Sequence, residues 1–133
     1  ETSHMIPGVI QRIHEAKDKK YEFVEIWGDG TARREFMNAS SFADFLHFAV
    51  TNFKKMPSVM NIGLGEDYSI KEYYEVIGSV IGFEGSFIFD TTKPIGMKQK
   101  LVDSKKMNDF GWRNSMSLED GIKETYKFYR NIL

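Results

Sequence analysis

The chain has 133 residues, and its 18 Lys+Arg against 19 Asp+Glu leave a formal net charge of −1. That length suits one domain with its own core, and 41% hydrophobic with 28% charged residues excludes wholesale disorder. Balanced charge excludes a global field for nucleic acid or an anionic membrane, and the lack of Cys excludes disulfides and thiolate chemistry.

From the N-terminus, Ile6, Val9, Ile10 and Ile13 recur at helical spacing behind Pro7, and Lys17 to Lys20 forms a charged exit. Phe23, Val24, Ile26 and Trp27 predict a strand, followed by a turn at Gly28-Asp29-Gly30 and a short second strand at Arg34-Glu35-Phe36. Ser40 or Ser41 is the expected cap of a helix striped by Phe42, Phe45, Leu46, Ala49 and Phe53. Val59 to Leu64 predicts a brief apolar strand after Pro57. Ser69 with Glu72 spells a capping box for a helix striped by Ile70, Tyr73, Tyr74, Ile77 and Val80. Phe87 to Phe89 predicts a strand ending at Asp90. A broken, lysine-rich stretch from Lys93 to Lys106 leads into a short helix over Ser104 to Phe110, stopped by Gly111. Ser117 caps a last helix with Leu118, Ile122, Thr125, Tyr129 and Ile132 on one face. The layout is one α/β unit over residues 1–133. No apolar run approaches the roughly 18 residues of a membrane span, which sets the expectation of a soluble, cytoplasmic protein without membrane or nucleic-acid partners.

Several chemistries are missing. The glycines form neither a dinucleotide fingerprint nor a P-loop, and the three His lack metal-ligand spacing, so no metal is expected. No Tyr is followed four residues later by Lys. The candidates that remain are anion binders and one acid/base. Arg12 beside the first apolar stripe is either a snorkelling side chain or a ligand. If residues 29–32 form a hairpin loop, Trp27 opposes Arg34. Such a pair suits a nucleotide, with base on ring and phosphate on guanidinium, or simply a cation–π staple. Lys98, Lys100, Lys105 and Lys106 are either a phosphate-facing loop or a solvated face. His4, as an imidazole, is an acid/base candidate.

In order along the chain, Ser3-His4-Met5-Ile6-Pro7, Arg12-Ile13-His14-Glu15-Ala16, Trp27-Gly28-Asp29-Gly30-Thr31 and Arg34-Glu35-Phe36 resemble the second half of the GDP-L-fucose synthase family. The likeness runs on through Asn61-Ile62-Gly63, Ser69-Ile70-Lys71-Glu72, Lys93-Pro94 and Ser117-Leu118-Glu119-Asp120-Gly121. These are extended short-chain dehydrogenase/reductases. The resemblance implies a C-terminal substrate-binding domain whose Rossmann partner, with the Tyr/Lys pair and NADP, lies outside this chain. It implies an NADP-dependent epimerase/reductase acting on a GDP-linked 4-keto-6-deoxy sugar, a homodimer when intact, and an inactive fragment when alone. His4 matches the epimerisation acid/base near the nicotinamide, so it is both the catalytic and the cofactor-binding candidate. Arg12, Trp27, Arg34 and Lys100 match substrate-binding positions. Ile95 stands where the family usually has Asp, and Gln99 where it commonly has Arg, which opens a related GDP-deoxyheptose or other nucleotide sugar as the alternative. A non-catalytic interaction module using the aromatic helix 42–53 is the other alternative. Phe48, off that helix's stripe, is expected to face a missing domain.

Overall fold

The computed structural model describes residues 4–133. Helix α1 (Met5–Asp18) leads to strand β1 (Phe23–Trp27), and the chain then crosses to a two-residue strand β2 (Arg33–Arg34). Helix α2 (Ala39–Thr51), strand β3 (Tyr68–Ser69) and helix α3 (Ile70–Ile81) follow. Strand β4 (Ser86–Asp90), strand β5 (Gln99–Lys100), helix α4 (Lys105–Phe110) and helix α5 (Leu118–Asn131) complete the α/β order.

Two small sheets result. Strand β1 pairs in parallel with β4, from Phe23 opposite Ser86 to Trp27 opposite Asp90. In the second sheet β2 lies between β3, antiparallel, and β5, parallel. Alternation along β1 buries Val24 and Ile26 and leaves Phe23, Glu25 and Trp27 outward, the period-2 pattern of a half-covered strand. Val24 and Ile26 meet Val9, Ile10, Ile13 and Ala16 of α1, Tyr74, Ile77 and Ile81 of α3, and Ile122 of α5. Each fully buried aliphatic side chain here stabilises the fold by about 1.5–3 kcal/mol, before entropy is counted. A second core joins Phe45 and Ala49 of α2 to Met107 of α4 and to Trp112.

Local chemistry explains the boundaries. Ser69 Oγ accepts from Glu72 N at 3.2 Å while Glu72 Oε2 accepts from Ser69 N at 2.6 Å, so the expected capping box starts α3. Gly82, at φ 74°, ends it in the left-handed region. Ser117 caps α5 through Asp120 N, also as expected.

Four expectations are corrected. Asn38, not Ser40 or Ser41, caps α2, its side-chain oxygen accepting from Ser40 N at 2.7 Å. The buried face of α2 is Ser41, Phe45 and Ala49, so Phe42, Leu46 and Phe53 point outward. Phe48 does not await a distant partner: it packs edge-on against Phe110 at 5.2 Å within the second core. Residues 59–64 form no strand; among the described residues no strand lies beside them, and an unpaired ladder is not stable in water.

Candidate functional site

The chain passes between the two sheets twice, side by side. Leaving β1, Gly28 N–H donates to Asp90 O at 2.9 Å, and Gly28 and Gly30 turn the chain at φ 79° and 75°. Asp29 Oδ1 accepts from Thr31 N and Oγ1 at 2.9 and 2.7 Å, closing that turn. Leaving β4, Asp90 Oδ1 likewise accepts from Thr92 Oγ1 and N at 2.5 and 3.0 Å. These Thr92 bonds, with Lys93 nearby, hold the Asp90 carboxyl below its ordinary range. The second crossing enters β5 with Arg33 N–H donating to Lys98 O at 2.8 Å.

This geometry corrects the hairpin expectation. Trp27 pairs with Asp90, and Arg34 pairs with Tyr68 and Lys100, so Trp27 and Arg34 are not cross-strand partners. The second crossing nevertheless borders both, meeting Gly28 next to Trp27 and then Arg34, and its course defines the Trp27–Arg34 edge. Trp27 is 62% exposed, and its ring faces Lys93 Nζ at 5.7 Å rather than a guanidinium. Ile95 of the second crossing lies against Gly28 of the first, and Gly96 lies beside Arg34. Arg34 and Lys100 sit side by side in register.

The adjacent arginine has a different fate, because successive strand residues face opposite ways. Arg33 Nε donates to Asp67 Oδ1 at 2.7 Å and its Nη2 to Asp67 O at 2.5 Å. Gln99 Nε2 donates to Asp67 Oδ2 at 2.6 Å, and the Asp67 side chain is only 6% exposed. Gln99 and then Arg33 hold this carboxyl below its ordinary range. Gln99 therefore belongs to an internal network. Arg34, by contrast, donates to Arg33 O at 2.6 Å, and among the described residues no carboxylate pairs with it, with Lys98 or with Lys100. Lys105 and Lys106 leave the proposed phosphate loop: Lys105 bonds Asp109 at 2.7 Å and Lys106 reaches Val59 O at 3.4 Å.

A second concavity opens beside this edge. His4, exposed and just before α1, contributes to a cleft of about 600 Å³ that is also lined by Phe36, Met37, Tyr68, Tyr73 and Phe128. Tyr73 connects the two regions. Its ring lines the cleft, and its hydroxyl donates to Arg34 O at 2.9 Å, fixing the backbone that carries the Arg34 side chain. Burial pushes the Tyr73 phenol well up, so it remains a proton donor throughout the ordinary pH range. Arg12 lies elsewhere in the bonding pattern. Its Nη2 donates to Tyr74 OH at 2.6 Å and its Nε to Gly8 O at 3.3 Å, and neither bond reaches the Trp27–Arg34 edge.

Arg33, Asp67 and Tyr73 were invisible as a set in the sequence. Asp67 and Tyr73 lie 34 and 40 positions beyond Arg33, and only the pairing of β2 with β3, which leads into α3, brings them together. The one available signal was the Arg33-Arg34 doublet, which in a strand demands two different environments.

The described residues do not fit a dinucleotide seat. The glycine-rich turn at 28–30 leads into β2 rather than a helix N-terminus, and that at 63–65 leads into β3. No hydride step is derived from them. Among the described residues there is no cluster of three or more His, Asp or Glu for a metal ion.

Comparison with known proteins gives a consistent relationship. Residues 1–63 match the NAD dependent epimerase/dehydratase family. The chain is 50% identical over 129 residues to the GDP-L-colitose synthase of Yersinia pseudotuberculosis, covering 97% of this chain and 42% of that one. It is 46% identical over 127 residues to a GDP-L-fucose synthase of Azorhizobium caulinodans, covering 96% and 41%. Among solved structures, a GDP-mannoheptose C4 reductase from Campylobacter jejuni with NADP bound superposes with a TM-score of 0.84 at 32% identity. That match covers 98% of this chain and 46% of the reductase. The chain thus spans about two-fifths of the length of the curated relatives it matches.

Proposed function

We propose that this chain, whose residues 1–63 match the NAD dependent epimerase/dehydratase family and which resembles GDP-L-colitose and GDP-L-fucose synthases, is the substrate-holding part of an NADP-dependent nucleotide-sugar epimerase/reductase. The observation that carries this reading is the edge where an exposed Trp27 stands with Arg34 and Lys100, two cations without carboxylate partners among the described residues. An aromatic face holds a base by stacking, worth about 1–3 kcal/mol, and a guanidinium forks onto phosphate oxygens. Arg12 joins the substrate set by resemblance, with Nη1 left after Nε and Nη2 are committed to Gly8 and Tyr74. His4, at the rim of the adjoining cleft, is the proton donor and acceptor at the sugar ring. Binding energy from the remote diphosphate then orients the sugar for that proton transfer. The nicotinamide cofactor supplies hydride chemistry when bound to the intact enzyme, which we place in the cytoplasm as a homodimer.

The substrate class is a GDP-linked 4-keto-6-deoxy sugar. A GDP-heptose is the second reading, favoured by the 32% identity to the GDP-mannoheptose reductase.

Calorimetric titration with GDP tests the assignment. GDP is expected to bind, with Arg34→Ala weakening it about tenfold or more, because a charge-assisted bond is lost. Failure of GDP to bind, or an unchanged affinity in Arg34→Ala, overturns the reading. The 133 residues alone are expected to leave NADPH unoxidised; a measurable rate would refute that part.

A further inference from the structure

Helix α5 has a face that the nucleotide reading does not use. Leu118, Ile122, Thr125 and Phe128 line the His4 cleft, whereas Lys123, Tyr126, Lys127, Arg130 and Asn131 stand on the opposite side of the helix. With Val80 of α3, these five enclose a separate hollow of about 420 Å³. Its lining holds three cations, a phenol and an amide but no carboxylate, in a chain whose net charge is −1. Helix-surface chemistry does not account for the pattern. Lys123 follows the ordinary rule, its Nζ bonding Glu119 Oε1 at 2.7 Å one turn earlier and reaching Asp120 Oδ1 at 3.9 Å. Lys127 instead has Lys123 four positions before it and Arg130 three after, like-charge spacings that destabilise a helix. Only Arg130 lies in the last turn, where the macrodipole favours a cation. Among the described residues, neither Lys127 nor Arg130 has a side-chain hydrogen bond or ion pair. Tyr126 forms a fixed wall: its hydroxyl lies 2.9 Å from His14 Nδ1, and its ring meets the His14 ring edge-on at 5.7 Å. Burial pushes this phenol up, against the smaller opposing effect of the Arg130 charge, so the hydroxyl stays protonated. The nearby Asp18 carboxylate faces His14 Nε2 at 3.4 Å and does not line the hollow.

We propose that the hollow between α5 and Val80 is an anion site, separate from the Trp27–Arg34 edge, that takes a small phosphorylated molecule carrying two or more negative charges. Lys127 and Arg130 hold the phosphate oxygens, the ammonium as a point charge and the guanidinium as a fork. Lys123 adds charge while keeping its bond to Glu119, and Val80 with the Tyr126 ring borders the uncharged remainder of the ligand. A bound dianion offsets the repulsion along Lys123, Lys127 and Arg130, so occupancy stabilises the helix that carries them. The site shares no residue with the nucleotide reading and stands or falls independently of it.

The test titrates the full chain with inorganic pyrophosphate and follows its nuclear magnetic resonance spectrum, in the parent and in Arg34→Ala. The second chain removes the guanidinium of the nucleotide edge, so that pyrophosphate held there is not counted. Saturable shifts are expected at the Lys127 and Arg130 amides and at the His14 ring, with the same midpoint in both chains. Arg130→Ala and Lys127→Ala should each raise that midpoint about fivefold or more, through loss of a charge-assisted bond. Lys127→Glu should abolish saturation with an unchanged circular dichroism spectrum, because the position is exposed. Raising the salt to about 0.5 M should weaken binding, since the site is open to solvent. Absence of saturation at α5, or saturation retained in Lys127→Glu, overturns the proposal. So do shifts of equal size at lysines outside the hollow, such as Lys54 and Lys105, which signal diffuse charge screening, and loss of the α5 shifts in Arg34→Ala. If GDP fails to bind while the α5 shifts persist, the nucleotide reading alone is lost.

Discussion

Tyr73→Phe removes one oxygen from the centre of the molecule, at the point where core and site meet. The side chain is 1% exposed, its ring packs edge-on against Phe36 at 5.1 Å and Tyr68 at 5.8 Å, and its hydroxyl donates to Arg34 O at 2.9 Å. Phenylalanine keeps the ring and both aromatic contacts, so no cavity forms. What is lost is one buried hydrogen bond, with a net value of about 0.5–1.5 kcal/mol, plus part of the penalty for an acceptor left dry. The expected total is about 1–2 kcal/mol. For a chain of this size that corresponds to a fall in Tm of roughly 3–6 °C. Urea denaturation followed by circular dichroism measures it, with an unchanged m-value as evidence that only stability moved. Because the bond anchors the backbone of Arg34, GDP affinity should fall in the same variant. A destabilisation below about 0.3 kcal/mol, within the scatter of surface substitutions, would show that the bond contributes nothing and would refute its anchoring role.

Ser69→Ala deletes half of the α3 capping box and should cost about 1 kcal/mol in a denaturant melt, with a loss near zero counting against the cap. Asp67 and Glu72 both have lowered carboxyl pKa values, the first through Gln99 and Arg33, the second through Ser69 N–H. Their stabilising effect is thus present above the ordinary carboxylate pKa, about 4, and is lost as pH falls through the lowered folded values. Asp67→Asn should flatten the acid limb of a stability-versus-pH curve, and an identical limb would contradict the network. Phe42, Leu46 and Val50 stand outward on α2 and Phe53 is exposed in the 3-10 turn just after it, apolar surface that should make the chain self-associate. Sedimentation velocity of Val50→Lys combined with Phe53→Lys should show a shift to monomer with the helical spectrum retained; a parent chain that is monomeric at every concentration would end that argument.

Elements set by local chemistry were legible in the sequence. The period of Val9, Ile10 and Ile13, the Ser69–Glu72 box, the Ser117 cap and the alternation in β1 each act through residues within a turn of one another. The strand placement of Trp27 and Arg34 was legible too, since Trp27 closes β1 and Arg34 lies in β2. Their relationship was misread: a glycine turn after a strand suggests a hairpin, yet Gly28 N–H bonds to Asp90 O and the chain leaves for another sheet.

The sequence by itself therefore determined which segments are helices, which faces of α1 and α3 are buried, and which residue types can meet an anion, but not the buried face of α2. Only the tertiary structure decided that Arg33 is neutralised by Asp67 while Arg34 is not, that Gln99 serves that internal network, and that Arg12 is tied to Tyr74. The physical reason is range. Capping and periodicity act over three or four residues, whereas charge compensation and spacing depend on contacts between segments about 30 to 70 positions apart, which no local pattern encodes.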